Sequence, residues 1–376
     1  DLNGMTPHLA DTELMARALA LAEEARLICP PNPAVGCVLV GADGSLIGEG
    51  HTQPVGQPHA EVMALRDAAR RGHTTHGATA YVTLEPCAHQ GRTGPCCDAL
   101  IAAGVARVVA ALEDPNPRVA GQGFARLRAA GVVVDVGQGA EAARALNLGF
   151  FSRMVRGTPW VRMKAASSLD GRTALPNGVS QWITSAAARE DGHRWRARAD
   201  AVLTGIGTVL EDDPLLNVRL PQVTRQPALV VVDSRLESPP SARLWSAAQR
   251  HIHVYAAVDD ETRRQSLQRL GAEVVILANP HGKVDLAAML KDLARREVNE
   301  VHVEAGHKLN GSLLREGLVD ELLLYQAPKL LGEGAGIAAM GPFTQLSEAV
   351  TLEWREVRPV GDDLCLRAVV AGHDRF

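Results

Sequence analysis

Three residues that can ligate zinc lie in two short stretches near the start of the chain. His59 begins the run His59-Ala60-Glu61, and Cys87 and Cys96 follow with eight residues between them. One histidine and two cysteines leave the fourth position of a tetrahedral zinc ion open to water, which is typical of a catalytic site rather than a structural one. The fold of this half must therefore bring three separate side chains to one point.

Glu61 lies two residues after His59, close enough to reach a zinc-bound water without being a ligand. The order His-x-Glu, then Pro-Cys and a later Cys, is the signature of zinc deaminases. Zinc lowers the pKa of bound water from ~15.7 to about 7. A carboxylate beside that water can carry its proton to a ring nitrogen and then to the leaving ammonia. We therefore predict that Glu61 is the proton shuttle of a hydrolytic deamination.

A structural zinc site is the main alternative. Cys97 or His89 would then supply a fourth protein ligand, and no position would be left for water. A second alternative is a buried histidine beside two apolar thiols with no metal at all. Cys97 directly follows Cys96, so the spacing alone does not decide which of these two sulfurs is the ligand.

Composition limits the classes of protein and of partner. The 376 residues are 46% hydrophobic and 22% charged, with a formal net charge of −4. These values are typical of a globular chain and unfavourable for nucleic acid, whose binding rests on clustered lysine and arginine. We find no run of eighteen apolar residues and no cleavable leader, so we expect no membrane partner. Six cysteines do not suggest a disulfide framework, which favours a cytoplasmic protein.

Hydrophobic periodicity predicts a first domain of the α/β class. A helical stripe runs from Asp11 to about Ala25, with Asp11 or Thr12 as N-cap. Further helices are predicted at 59–70, 96–102 and about 121–130, and strands at 32–40, 46–48, 80–84, 105–111 and 132–136. Strands alternating with helices form a layered domain. The pattern is interrupted between Phe150 and Pro159, and we place the two domains at 5–152 and 153–376.

The second domain is also predicted to be α/β. Strands are expected at 160–165, 201–204, 228–232, 251–256, 273–277, 301–303 and within 352–370, and helices at 181–199, 260–270, 285–296 and 308–316. Two Gly-containing stretches, 204–208 and 304–312, join a strand to a helix, where backbone amides can bind phosphate. The first lacks the third glycine and the later acidic residue of a dinucleotide-binding loop, so a plain strand-to-helix turn fits equally well.

The segment Thr83–Cys96, together with Asn32–Gly36 and His59–Glu61, resembles the bifunctional deaminase/reductase of riboflavin biosynthesis. Its long loop between the cysteines, with the core His-x-Gly-Arg-Thr, is characteristic of that family among zinc deaminases. The stretches 168–174, 180–185, 212–219, 303–306 and 327–332 resemble the reductase part of the same family. The resemblance covers about residues 8–370 and departs from the usual pattern at Gly94, Cys97 and His307-Lys308.

This resemblance implies a cytidine-deaminase-like three-layer domain followed by a dihydrofolate-reductase-like domain. It implies one zinc ion per chain at His59, Cys87 and Cys96, and NADPH in the second domain. The residues that it places at the substrate are Asn32 and His89 in the first domain and Ser180, Arg196, Leu216, Arg219 and Glu304 in the second. Those that it places at the cofactor are Ala166, Trp182, Thr208, Asp212, Ser234, Gly306, His307, Lys308, Leu309, Asn310, Gly311 and Ser312. Arg196 and Arg219 also suit a ribose phosphate, because guanidinium offers paired donors to phosphate oxygens.

We therefore expect a two-domain enzyme of riboflavin biosynthesis, homo-oligomeric, that acts on a small phosphorylated pyrimidine. The first domain would deaminate 2,5-diamino-6-ribosylamino-4(3H)-pyrimidinone 5′-phosphate, and the second would reduce the ribosyl group of the product to ribityl with NADPH. A nucleic-acid deaminase is one alternative, and the net charge of −4 weighs against it. A zinc-binding protein without turnover is another, and the position of Glu61 weighs against that.

Overall fold

The computed structural model describes residues 7–91, 94–247 and 249–376, with side chains described from residue 11 onward. Contacts divide the chain into two compact units, Asp1–Arg156 and Gly157–Phe376. Residues 5 and 6 of the predicted first domain lie outside the described residues, as do Arg92 and Thr93 of the loop between the cysteines.

The predicted domain boundary after residue 152 falls inside a helix, Leu148–Arg156. The arginines that suggest an interruption in the sequence, Arg153 and Arg156, occupy the last turn of this helix. Cations in a last turn are favourable because they oppose the negative end of the helix dipole. The helix therefore continues to Arg156, and the contact boundary lies four residues later than the predicted one.

The sheet of the first unit has five strands in the order β2-β1-β3-β4-β5. They are β1 (Gly36–Val40), β2 (Leu46–His51), β3 (Thr79–Val82), β4 (Arg107–Ala110) and β5 (Val133–Val136). β1 is antiparallel to β2 and β3, whereas β3, β4 and β5 are parallel. The strand predicted to begin at Asn32 begins at Gly36, because the Asn32 amide is held in a turn by the Cys29 carbonyl, at 3.0 Å.

Helices cover both faces of this sheet. They are α1 (Pro7–Ala25), α2 (Ala60–Arg70), α3 (Cys96–Ala102), α4 (Gln122–Ala129), α5 (Ala140–Leu146) and α6 (Leu148–Arg156). Gly36 of β1 packs on α1, since a Cβ there would collide with the Ala18 carbonyl, and Gly50 of β2 packs on α2 in the same way. The three layers expected for the first domain are thus present. α1 begins before the predicted N-cap, because proline is tolerated in a first turn.

The sheet of the second unit has nine strands in the order β10-β9-β8-β7-β11-β6-β12-β14-β13. They are β6 (Trp160–Ser168), β7 (Ala201–Gly205), β8 (Ala228–Val232), β9 (Ile252–Ala256), β10 (Ala272–Ile276), β11 (Glu300–Val303), β12 (Glu321–Ala327), β13 (Leu352–Val360) and β14 (Asp363–Val370). The first seven strands in this order, β10-β9-β8-β7-β11-β6-β12, are parallel. β14 and β13 add an antiparallel edge. The carboxyl ends of the parallel strands meet at one edge of the sheet, where ligands bind in open α/β sheets.

The helices of the second unit are α7 (Ala186–Arg198), α8 (Ile206–Asp212), α9 (Glu261–Arg269), α10 (Leu286–Arg295) and α11 (His307–Arg315), with short 3₁₀ turns at Arg243–Ser246 and Leu346–Glu348. The helix predicted from residue 181 begins at Ala186, because the Ser185 hydroxyl caps it by accepting the Ala188 amide at 3.3 Å. Across the residues described, no helix combines the length and the apolar character needed to cross a membrane.

Candidate functional site

The three predicted zinc ligands meet in the first unit. His59 is the N-cap of α2, Cys96 is the first residue of α3, and Cys87 lies in the segment between β3 and α3. His59 Nδ1 lies 3.3 Å from the Cys96 sulfur and 3.8 Å from the Cys87 sulfur. The three ligand atoms all lie within 4.8 Å of one another. One imidazole nitrogen and two thiolate sulfurs at this separation fit tetrahedral zinc with an open fourth position.

The structure separates the two adjacent cysteines. Cys97 is fully buried, and its thiol donates to the backbone carbonyls of Pro86 at 3.1 Å and Gly123 at 3.5 Å. It therefore points away from the sulfur of Cys96 and is outside the ligand cluster. His89 is exposed and is likewise outside that cluster. The arrangement favours a site with three protein ligands over the structural alternative with four.

Glu61 is buried beside the ligand cluster, in the first turn of α2. Burial first, and the nearby Cys87 second, raise the pKa of its carboxyl to about 7. His59 is the N-cap of α2 and Glu61 lies in its first turn, so the same end of the helix holds both side chains. A carboxyl held in this way is suited to take up and release a proton within the site.

Glu85 braces the segment that carries Cys87, a role that the sequence analysis missed. Its carboxylate is buried and accepts four backbone amides: those of Gly123 at 2.8 Å, Phe124 at 3.3 Å, Asp114 at 2.9 Å and Gly121 at 3.0 Å. Two of these amides lie at the start of α4, where the helix dipole favours a negative charge. The sequence feature that could have indicated this role is that Glu85 directly precedes the Pro86-Cys87 dipeptide.

The two predicted substrate residues of the first unit have different surroundings. Asn32 lies in the turn before β1 and is partly buried, whereas His89 is exposed two residues after Cys87. Asp114 is close enough to both His89 and Cys87 to interact with them electrostatically. Burial is the largest cause that raises the pKa of Asp114, which the sequence analysis did not single out.

In the second unit the structure brings together two predicted substrate residues, Arg196 and Glu304. Arg196 Nε and Nη2 donate to the two carboxylate oxygens of Glu304 at 2.8 and 2.9 Å, and Arg196 Nη1 donates to the Asn217 carbonyl at 2.7 Å. Burial by itself would raise the pKa of Glu304, but Arg196 and Lys164 hold it well below its usual value. The guanidinium fork expected to bind phosphate is therefore directed at Glu304.

Arg219 remains accessible. It is exposed, and its Nη1 donates to the side chain of Asn217 at 2.7 Å. Its backbone amide donates to His193 Nδ1 at 3.3 Å. Burial, followed by Arg196 and Arg219, lowers the pKa of His193 to about 4, so this imidazole is neutral near pH 7 and adds no charge. Leu216 is buried in the core with a φ of 53°, so only its backbone can face a ligand.

Trp182, one of the predicted cofactor residues, is accessible. Trp182 is 64% exposed, and the guanidinium of Arg189 stacks on its ring at 4.2 Å from the centroid. Lys329 Nζ donates to the carbonyl of Ile183, the residue after Trp182, at 2.9 Å. Ser180 and Ala166 are both partly buried.

The predicted cofactor stretch 306–312 is not a loop. Gly306 is the N-cap of α11 and the other six residues are helical. Gly306 lies close to Thr208, since a Cβ added to Gly306 would be 3.9 Å from the Thr208 hydroxyl oxygen. The side chain of Leu309 lies against Gly205. The carboxyl ends of β7 and β11 and the helices that follow them thus adjoin each other. Asp212 ends α8 and is exposed, and Ser234 follows β8.

One buried polar atom at the carboxyl end of β7, Thr204 Oγ1, lacks a hydrogen-bond partner among the described residues. Such an atom at the carboxyl end of a parallel strand fits a polar ligand such as a dinucleotide. Asn310 Nδ2 donates to the Ile337 carbonyl at 2.9 Å, and Gly311 packs against Ala339. The middle of α11 therefore faces the 337–339 segment, and its first residues face the crevice.

Known families match both units. Residues 9–112 match the cytidine and deoxycytidylate deaminase zinc-binding region, and residues 159–366 match the RibD C-terminal domain. The riboflavin biosynthesis protein RibD of Escherichia coli (strain K12) is 46% identical over 376 residues, which cover 96% of this chain and 100% of that protein. The RibD of Aquifex aeolicus (strain VF5) is 40% identical over 356 residues, 95% of this chain and 97% of that protein.

Solved structures match the whole chain as well. The structure of Acinetobacter baumannii RibD, form 1, has a TM-score of 0.87 and 41% identity, and covers 96% of this chain and 99% of that one. A second structure is that of a diaminohydroxyphosphoribosylaminopyrimidine deaminase/5-amino-6-(5-phosphoribosylamino)uracil reductase from Thermotoga maritima. It has a TM-score of 0.85 and 30% identity, and covers 97% of this chain and 100% of that one.

The fold and the two sites define a bifunctional enzyme, in which a zinc-dependent deaminase is joined to an NADPH-dependent reductase of the dihydrofolate-reductase-like class. The chain belongs to the RibD family of riboflavin biosynthesis. The expected fold class, the two activities and the two cofactors are thereby confirmed.

Proposed function

We propose that the first unit deaminates 2,5-diamino-6-ribosylamino-4(3H)-pyrimidinone 5′-phosphate. We propose further that the second unit reduces the product to 5-amino-6-ribitylamino-uracil 5′-phosphate. The observation that carries this proposal is the convergence of His59, Cys87 and Cys96 beside the buried Glu61. The substrate is that of the deaminase/reductase named for the similar chain from Thermotoga maritima.

In the deaminase site, His59, Cys87 and Cys96 hold zinc, which when bound lowers the pKa of a water to about 7. Glu61 would carry one proton of the attacking water to the ring nitrogen and the other to the departing amine, because its buried carboxyl is held in the first turn of α2. Asn32 and His89 bind the pyrimidine. The brace formed by Glu85 keeps Cys87 in place while the substrate enters and leaves.

In the reductase site, Glu304 accepts hydrogen bonds from the sugar hydroxyls, since its carboxylate is ionised and oriented by Arg196. Arg219 binds the 5′-phosphate, because its charge is accessible and Arg196 is already engaged. Ser180 and the backbone of Leu216 complete the substrate contacts. NADPH, when bound, supplies the hydride, and the chain contributes mainly orientation and electrostatics.

The cofactor lies in the crevice between the carboxyl ends of β7 and β11. The residues assigned to it are Ala166, Trp182, Thr208, Asp212, Ser234, Gly306, His307, Lys308, Leu309, Asn310, Gly311 and Ser312. The unpartnered oxygen of Thr204, at the carboxyl end of β7, supports this location. The exposed ring of Trp182 offers a surface on which a flat ring can stack.

We also propose that the enzyme is a cytoplasmic homo-oligomer that uses neither nucleic acid nor membrane. Two exposed apolar side chains on the edge strand β13, Trp354 at 64% and Val357 at 59%, support burial against another copy. All six cysteines lie in the part of the chain that the structure describes and are thiols rather than disulfides, which suits a reducing compartment. The net charge of −4 argues against a polyanion as substrate.

The test of this division of labour is Glu61→Gln, which removes the proton shuttle but preserves the size of the side chain. Ammonia release from the diaminopyrimidine should fall by about 10²–10⁴-fold, the range typical of general acid–base groups. Zinc content, measured by atomic absorption, should not change. NADPH oxidation with the already deaminated substrate should also be unchanged, and an equal loss of both activities would contradict the proposal.

A further inference from the structure

The segment 213–219 contains two of the proposed substrate residues, Leu216 and Arg219, but it forms neither helix nor strand. It begins where α8 ends, at Asp212. Leu216 has a φ of 53°, in the left-handed region that is unfavourable for a residue with a Cβ. Such a conformation persists only where the surrounding structure holds it. Groups outside the segment must therefore fix the path of the chain up to Arg219.

Two arginine side chains hold the backbone in the middle of this segment. Arg250 Nη2 donates to the Leu215 carbonyl and to the Leu244 carbonyl, both at 2.7 Å, and so joins the segment to the turn that contains Leu244. Arg196, in α7, donates to the Asn217 carbonyl at 2.7 Å. The segment is thus held from two different parts of the second unit.

Gln226 holds the residue directly before Arg219. Its Oε1 accepts the Val218 amide at 2.8 Å, and its Nε2 donates to the Val218 carbonyl at 2.9 Å. The side-chain amide acts as a neighbouring strand would, because it pairs with both the donor and the acceptor of one residue. Val218 is only 4% exposed, so its backbone groups need partners within the protein.

The direction of the Arg219 side chain depends on the same segment. Its exposed guanidinium is oriented by the Asn217 side chain, which accepts Arg219 Nη1 at 2.7 Å. Val218 lies between these two residues. A shift of Val218 would therefore move both the arginine and the side chain that orients it.

We propose that Gln226 is a positioning residue of the reductase site, which holds Val218 so that Arg219 is directed at the 5′-phosphate. Gln226 thereby sets the preference of the reductase for a phosphorylated substrate without touching the phosphate. The inference rests on the proposed reductase function and on the phosphate-binding role of Arg219, and it adds the group that makes this role possible. Displacement of a positioning group by about 1 Å is enough to weaken a reaction strongly.

The test compares kcat/KM for NADPH oxidation with the phosphorylated and with the dephosphorylated deaminated substrate. Gln226→Met preserves the length of the side chain and removes both hydrogen bonds. It should lower the ratio of the two kcat/KM values by about five- to fiftyfold, the cost of two lost hydrogen bonds. The value with the dephosphorylated substrate should stay within about twofold of wild type. Gln222→Met, at an exposed glutamine that also lies between Arg219 and β8, is the matched control and should leave the ratio unchanged.

A conservative variant extends the test. Gln226→Asn retains the amide group on a shorter side chain, so it should restore part of the ratio that Gln226→Met loses. If the methionine variant does not fold, the asparagine variant alone decides, with a smaller fall of the ratio expected. An unchanged ratio in a folded Gln226 variant would overturn the inference, and so would an equal loss with both substrates.

A double-mutant cycle with Arg219→Ala separates positioning from a general role in the fold. Once Arg219 is absent, Gln226→Met should lower kcat/KM for the phosphorylated substrate by less than about twofold further, because no guanidinium is left to position. The full loss in both backgrounds would contradict the inference. Failure of the proposed phosphate site would appear differently, since Arg219→Ala by itself would then leave the ratio of the two substrates unchanged.

Discussion

At the scale of single residues, two adjacent cysteines have opposite surroundings. The Cys96 sulfur faces His59 at 3.3 Å, while the Cys97 thiol donates to the Pro86 carbonyl at 3.1 Å. Because consecutive residues at the start of a helix point in different directions, only one of the two sulfurs can reach a given ion. The zinc site is thus set by the register of α3.

We expect Cys96→Ala to lose most of its zinc and Cys97→Ala to keep about one zinc ion per chain. The first change removes a ligand, and the second removes a thiol whose hydrogen bonds among the described residues go to backbone carbonyls. Zinc would be measured by atomic absorption after dialysis against a weak chelator. Equal losses from the two variants would show that the register is wrong.

The two arginines of the reductase site should also behave differently. Arg219→Ala should lower kcat/KM for the phosphorylated substrate by about ten- to a hundredfold, because a charge-assisted bond of ~1.5–3 kcal/mol is lost. With the dephosphorylated substrate, this variant and wild type should be equally poor.

Arg196→Ala should impair both substrates, since it releases the Glu304 carboxylate rather than the phosphate. Arg196→Lys should restore little, because a point charge cannot reproduce the paired bonds. If Arg196→Ala affected only the phosphorylated substrate, it would be a phosphate ligand as the sequence alone suggests.

The ligand set was predictable from sequence because the chemistry of zinc restricts both residue types and their order. His59, Cys87 and Cys96 converge as predicted. The pairing of Arg196 with Glu304 was not predictable, since the two residues lie on different elements and each alone suits a ligand. Glu85 was missed for a similar reason: its four amide partners come from segments that only the fold brings near.

At the scale of elements, most strands and helices follow from hydrophobic period, and the misses have physical causes. β8 occupies the predicted residues, because a continuous apolar run between polar turns suits a buried parallel strand. β12 was not predicted. Its residues alternate between buried and partly buried, but three consecutive leucines give no alternation of apolar and polar residues in the sequence. The helix expected after the strand-to-helix turn at 204–208 was given no bounds, and α8 begins inside that stretch, because a glycine-containing start is typical of a turn.

The link between β3, α4 and the 114–121 segment depends on Glu85. Glu85→Gln replaces an acceptor oxygen by an NH₂ group that faces backbone amides, so we expect a loss of ~1.5–3 kcal/mol in the stability of the first unit. Thermal unfolding of the full chain, followed by loss of zinc, would measure it. Glu113→Gln is the matched control, because Glu113 is exposed and directly precedes that segment. A matching loss in the control would rule out a specific role for Glu85.

At the scale of the whole molecule, the chain consists of two units with separate sheets, Asp1–Arg156 and Gly157–Phe376. The zinc ligands all lie in the first, and the Arg196–Glu304 pair and the cofactor crevice lie in the second. The chemistry of each site therefore rests on residues of its own unit. The central claim is that the two reactions are carried out by independent sites on one chain.

Removal of zinc tests this claim most directly, with both activities measured on the same sample. After dialysis against a chelator, ammonia release from the diaminopyrimidine should fall to background, because the water then lacks the ion that lowers its pKa. NADPH oxidation with the deaminated substrate should be unchanged, and one equivalent of zinc per chain should restore ammonia release. Persistence of ammonia release without zinc, or a parallel loss of NADPH oxidation, would contradict the account.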